Sequence, residues 1–84
     1  MYEIYIERTA EKDIKNLQKE KQDDVIAQIK ALSMTPRPLG CKKLAGSRND
    51  WRIRTGDYRI LYEIDDMVKI VRVMKVRHRR EAYR

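Results

Sequence analysis

Two alternating runs near the middle of the chain, Asp50–Arg54 and Tyr58–Ile64, carry its clearest pattern. Trp51, Ile53, Tyr58 and Ile60 are apolar or aromatic, and Arg52, Arg54 and Arg59 fall between them. A period of two is that of strands with one buried face. Between the runs, Gly56-Asp57 is a Gly-first pair suited to a two-residue type II′ hairpin loop. That loop sets Arg54 opposite Arg59 and Ile53 opposite Ile60, with Arg52 diagonal to Arg59 on the same face. An odd-numbered loop would send Arg59 to the other face. Like charges opposed across a sheet destabilise it, so the pattern predicts an anion that neutralises them.

The remaining elements follow from the same two periods. Tyr2–Glu7 alternates and predicts a first strand. Thr9 is placed to cap a helix whose apolar positions Ala10, Ile14 and Leu17 share one face. The chain turns near Lys19–Lys21, and Val25, Ile29 and Leu32 mark a second helix. It ends before Pro36 and Pro38, because the residue preceding a proline avoids the helical region. Pro36–Asp50 reads as a long connection, with Gly40, Gly46 and Ser47 as turn residues and Leu44 as its anchor. A third alternating run, Met67–Lys75, follows a turn at Asp65-Asp66, and Arg77–Arg84 closes in a short helical turn. The predicted order is β-α-α-β-β-β over one domain, residues 1–84. This is an α+β fold with a helical hairpin packed on an antiparallel sheet.

Charge sharpens the picture. The chain has 84 residues and a net charge of +7. Residues 1–36 hold six Lys/Arg against seven Asp/Glu, for −1, and residues 37–84 hold fourteen against six, for +8. An excess confined to one half argues for a polyanionic partner, and arginine suits bidentate phosphate contact. Lys42, Lys43 and Arg48 in the long connection, with Arg79 and Arg80 near the C-terminus, extend the basic set. A domain of this size buries only about 60–65% of its unfolded surface, so its core is thin.

Other chemistries are excluded. Cys41 is the only cysteine and His78 the only histidine. An intramolecular disulfide and a zinc cluster are therefore ruled out, and a metal site is not expected. Asp65-Asp66 reads as turn chemistry rather than a metal-binding carboxylate pair. No run approaches the ~20 apolar residues of a membrane span, MYEIYIERTA has no apolar core of signal-peptide length, and the sequence holds no Gly-rich phosphate loop. The expectation is a cytoplasmic protein with no cofactor and no membrane association. Trp51, Tyr58 and Tyr62 belong to the face opposite the arginines, which argues against base-stacking on the sheet.

The segments PRPLGCKKLAGS, WRIRTGDYRILYEID and VRHRREAYR, following a strand-helix-helix start, resemble the RelE/ParE superfamily of toxins from type II toxin–antitoxin systems. The likeness is strongest to the RelE branch and covers nearly the whole chain. It implies the same small α+β fold, a RelB-like antitoxin as partner, and ribosome-dependent, metal-independent cleavage of mRNA. In that chemistry the 2′-hydroxyl attacks the adjacent phosphate and leaves a 2′,3′-cyclic phosphate and a 5′-hydroxyl. Carried over position by position, the implied catalytic residues are Arg52, Arg54, Arg59, Arg77 and Tyr83. Arg52 and Arg54 stand where RelE-type enzymes can carry lysine. A guanidinium stays protonated, so it serves as a phosphate clamp rather than a base, and His78 is the candidate for proton transfer. Two alternatives stay open: a ParE-type toxin that poisons DNA gyrase, and a basic RNA- or ribosome-binding protein without turnover.

Overall fold

The alternating runs lie side by side in the computed structural model, which describes residues 1–80. The elements are β1 (Glu3–Ile6), α1 (Arg8–Lys15), α2 (Lys19–Ala31), β2 (Lys42–Lys43), β3 (Asp50–Thr55), β4 (Tyr58–Asp65) and β5 (Ile70–His78). They form a five-stranded sheet in the order β1-β5-β4-β3-β2. Both helices supply core residues to one face of it.

The α+β class and the helices on a single face match the expectation from sequence. The sheet itself is mixed rather than antiparallel, because β1 runs parallel to β5 while the other pairs are antiparallel. A parallel pair needs a crossover connection, and α1 and α2 lie within it. β2 was not expected. With two residues it has no alternation to read, and it is held by the pairing of Lys42 with Arg52 and Lys43 with Trp51.

Three local expectations are corrected. Thr9 does not cap α1. The helix begins at Arg8 with Glu7 in the cap position, and Glu7 makes no side-chain cap bond. Its carboxylate instead accepts a hydrogen bond from Arg72 at 3.2 Å. The third hairpin strand starts three residues late, since Asp65 Oδ1 accepts the N–H groups of Met67 and Val68 at 3.0 and 3.2 Å and holds them in the turn. Arg77 and His78, expected in a closing helical turn, instead extend β5.

An irregularity in the ladder explains why the end of β5 was misread. Leu61 pairs with Lys75 and the next residue, Tyr62, pairs with Val73, so Met74 is the extra residue of a bulge. The buried positions are therefore Val71, Val73 and Val76, which breaks the period of two. A bulge re-aims the side chains beyond it. Here it moves Arg77 from the parity of Val73 to that of Lys75 and Arg59.

Ile53, Ile60, Tyr62, Ile64, Val71, Val73 and Val76 meet Ala10, Ile14, Val25, Ile29 and Leu32 from the helices in one buried cluster. Tyr62 is fully buried yet its hydroxyl donates to Pro36 O at 2.8 Å. Burial pushes that hydroxyl's pKa far up, so it stays a donor. Leu44 is half-buried, as an anchor for its connection should be. Among the described residues, no helix is long and apolar enough to cross a membrane.

A clasp ties the long connection to the β4–β5 turn. Asp66 accepts both terminal nitrogens of Arg37, at 3.3 and 2.9 Å, and the hydroxyl of Tyr2 at 2.6 Å. The hydrogen bonds from Arg37, then that from Tyr2, hold the Asp66 carboxyl at a pKa of about 2. An unfolded aspartate titrates near ~3.9. A depressed folded pKa stabilises above the unfolded value and ceases to do so as pH falls through the folded one. The stability difference between the wild type and Asp66→Ala is therefore expected to be full above pH ~4 and to fade toward pH ~2. Urea denaturation at stepped pH reads it directly, and a difference unchanged down to pH ~2 would remove Asp66 from the clasp.

Candidate functional site

The β3–β4 hairpin fixes the arginines. Arg54 pairs with Arg59, Ile53 with Ile60 and Thr55 with Tyr58, which leaves a loop of Gly56 and Asp57. Gly56 has φ +60, and Asp57 is not among the positive-φ residues. A type II′ turn has that combination, whereas type I′ would need both to be positive. Arg52, Arg54 and Arg59 consequently share the face turned away from the helices.

β5 extends the row. Arg77 pairs with Arg59 on the side opposite Arg54, so three arginines stand abreast on adjacent strands. Arg59, in the middle, is only 6% exposed. The Arg77 guanidinium forms an ion pair with Asp13 of α1. Asp13 also accepts the Val76 N–H at 3.0 Å, beyond the end of the β1 pairing. One carboxylate thus caps an open stretch of β5 and draws Arg77 toward the helix.

Arg79 takes the position beside Arg59 at the loop end. Its N–H donates to Asp57 O at 2.7 Å, which fastens the end of β5 to the hairpin turn. Arg54, Gly56, Arg59 and Arg79 line an open cleft of about 370 Å³. A second cleft of about 420 Å³ lies on the β2 side, lined by Leu39, Gly40, Lys42, Arg52, Ile53 and Arg54. Arg54 borders both.

The other candidates are spread out. Lys42 is exposed and pairs with Arg52 on the arginine face, whereas Lys43 pairs with Trp51 and takes the opposite parity. Arg48 and Arg80 are exposed in irregular segments. His78 also has the parity opposite to Arg77. Its ring meets Tyr58 edge-on at 5.5 Å, and its Nδ1 accepts the Arg80 N–H at 3.3 Å. His78 therefore does not join the arginine row. Tyr83 lies outside the described residues. Trp51, Tyr58 and Tyr62 have the parity of the core face, and the Arg37 guanidinium stacks on Trp51 at 5.1 Å.

Two features, one at the arginine row and one away from it, had no counterpart in the sequence pattern. Asp13 follows Ala10 by three positions and borders the apolar stripe of α1. An acid at that edge signals an inward-facing partner. The Arg37–Asp66 clasp joins residues 29 apart, and such distant pairs leave no mark in local periodicity.

The chain matches the family model described as ParE toxin of type II toxin–antitoxin system, parDE, over residues 4–83. It belongs to that family, within the RelE/ParE superfamily of type II toxins. Solved structures agree in fold. The RelBE2 toxin–antitoxin complex of Mycobacterium tuberculosis contains a chain 29% identical with a TM-score of 0.82, the match covering 92% of this toxin and 96% of that chain. A chain of the archaeal RelE–RelB complex from Pyrococcus horikoshii is 26% identical with a TM-score of 0.84, over 96% and 98%. The isolated RelE toxin of Escherichia coli is alike in fold, with a TM-score of 0.80 at 21% identity over 93% and 84%. No curated protein sequence matches this toxin.

Proposed function

We propose that this toxin is a ribosome-dependent mRNA endoribonuclease of the RelE type, with Arg52, Arg54 and Arg59 as its phosphate-binding cations. The observation that carries this reading is Arg59, nearly buried and opposed by Arg54 on one side and Arg77 on the other. A row of like charges weakens a sheet by roughly 0.2–1 kcal/mol per facing pair. An anionic phosphate bound across the row turns that repulsion into attraction. The demand is greatest in the pentavalent transition state, where phosphate charge rises and preorganised cations act most strongly. Being permanently protonated, these arginines supply charge and position, while proton abstraction falls to another group.

The partner in this reading is a RelB-like antitoxin. The similar chains from M. tuberculosis and P. horikoshii were seen in complexes with their antitoxins, and the +8 half offers an acidic partner its binding surface. Pull-down from native cells is the corresponding check.

The family description favours a second reading, in which the toxin poisons DNA gyrase as ParE does. One experiment with two arms separates them. A translation extract with 5′-end mapping of the mRNA should show new ends that depend on the toxin and on ribosomes. A gyrase supercoiling assay should be unaffected. Inhibited supercoiling with intact mRNA would replace the first reading by the second, and neither effect would leave a basic binding protein without turnover.

A further inference from the structure

The two clefts border the arginine row and share Arg54, yet their walls differ. The cleft at the hairpin end is lined by Arg54, Gly56, Arg59 and Arg79 and offers cations without an apolar side chain. The cleft on the β2 side adds an apolar surface, because Leu39 is fully exposed on its rim beside Lys42 and Arg52. A bare leucine next to two cations suits a ligand that is anionic on one side and flat and apolar on the other. We propose that the β2-side cleft is a second nucleotide subsite, in which Lys42 and Arg52 hold the phosphate next to the scissile one and Leu39 meets its base. The proposal rests on reading the arginine face as an RNA site.

Geometry supports a nucleotide chain over a compact anion. Arg52 and Arg54 are two residues apart in one strand, a separation of roughly 6.8 Å. That is the scale of one repeat of an extended sugar–phosphate backbone, so successive phosphates can meet Arg54 and Arg52 in turn. The rim is also held in place before anything binds. Tyr62 donates to Pro36 O at 2.8 Å, the Cys41 N–H bonds Pro38 O at 3.0 Å, and Arg37 is held bidentate by Asp66. Gly40 turns the rim at φ +94, a conformation that favours glycine. A preorganised wall loses little freedom when a ligand lands.

The test uses all-deoxy oligonucleotides without terminal phosphates, which lack the 2′-hydroxyl needed for cleavage. A labelled dinucleotide carries one phosphodiester and a trinucleotide two. Wild-type toxin should bind the trinucleotide about 10-fold more tightly, the scale of one charge-assisted contact. Lys42→Ala and Leu39→Ala, both at exposed positions, should erase most of that gain and leave dinucleotide binding unchanged. Lys42→Ala should also make the salt dependence of trinucleotide binding shallower by about 0.7 in log–log slope, as expected for one lost contact to a single strand. Equal binding of the two oligonucleotides by the wild type would overturn the proposal. So would a Lys42→Ala loss shared by both, or no loss at all. A hexaglutamate peptide bound as tightly as the trinucleotide and equally sensitive to Lys42→Ala would make the cleft a protein-docking surface instead. Because nothing is cut, the outcome is separable from the nuclease reading. A length-dependent gain with uncut mRNA keeps the subsite and sinks the nuclease, and cleavage without the gain does the reverse.

Discussion

Arg59→Ala is expected to slow mRNA cleavage about 10²–10³-fold while leaving the domain folded. The loss follows from removing one preorganised cation from the transition state, worth roughly 2.7–4 kcal/mol. Arg59 faces Arg54 and Arg77 across the ladder and lies outside the apolar cluster, so its removal takes a cation from the row and leaves the core in place. Single-turnover cleavage on programmed ribosomes gives the rate, and urea denaturation gives the stability. A variant that folds and cuts at the wild-type rate would remove Arg59 from the site.

Asp13→Ala is the second large effect, and it falls on stability. The side chains of Asp13 and Arg77 are 16% and 28% exposed, so their ion pair is mostly shielded from water. The same carboxylate accepts the Val76 N–H. Orphaning a buried backbone donor costs about 1–3 kcal/mol, and the ion pair contributes up to about 1 more. A total loss of about 1–4 kcal/mol is expected. In a domain of this size, each kcal/mol lowers the thermal midpoint by roughly 4–8 °C. Asp13→Asn keeps an acceptor for Val76 and should recover more than half of the loss. Chemical denaturation of the three proteins checks this, and an Asp13→Ala variant within about 0.5 kcal/mol of wild type would contradict the assigned role.

The central hairpin was legible because its information is local. Alternation at Trp51–Arg54 and Tyr58–Ile60, with one Gly-first dipeptide, determines parity, register and turn type together. The helices were legible for the same reason, through Ala10, Ile14, Val25, Ile29 and Leu32. The rest depended on contacts between distant segments. β1 pairs with β5 across most of the chain, and no local period distinguishes a parallel partner from an antiparallel one. The bulge at Met74 shifts the buried positions by one, so the end of β5 read as tail. Its consequence is the placement of Arg77 beside Arg59, which the family likeness implied and the alternation alone would have denied.

The arginine face was partly legible too. Arg52, Arg54 and Arg59 followed from spacing. Arg79 entered the cleft through a backbone bond to Asp57 O, and Lys42 through a two-residue strand. Neither leaves a sequence signature. Asp13 shows the converse: an acidic residue on a helix sets the direction of a basic residue on the sheet.

Whether this face performs phosphate chemistry on RNA is reported directly by the ends of the cut strands. Purified ribosomes programmed with a defined mRNA should be incubated with the toxin and the fragments characterised by their end groups. Attack by the 2′-hydroxyl predicts upstream fragments ending in a 2′,3′-cyclic phosphate and downstream fragments starting with a 5′-hydroxyl, formed only when ribosomes are present. Fragments with 5′-phosphates, or mRNA that stays intact on ribosomes exposed to folded toxin, would contradict it.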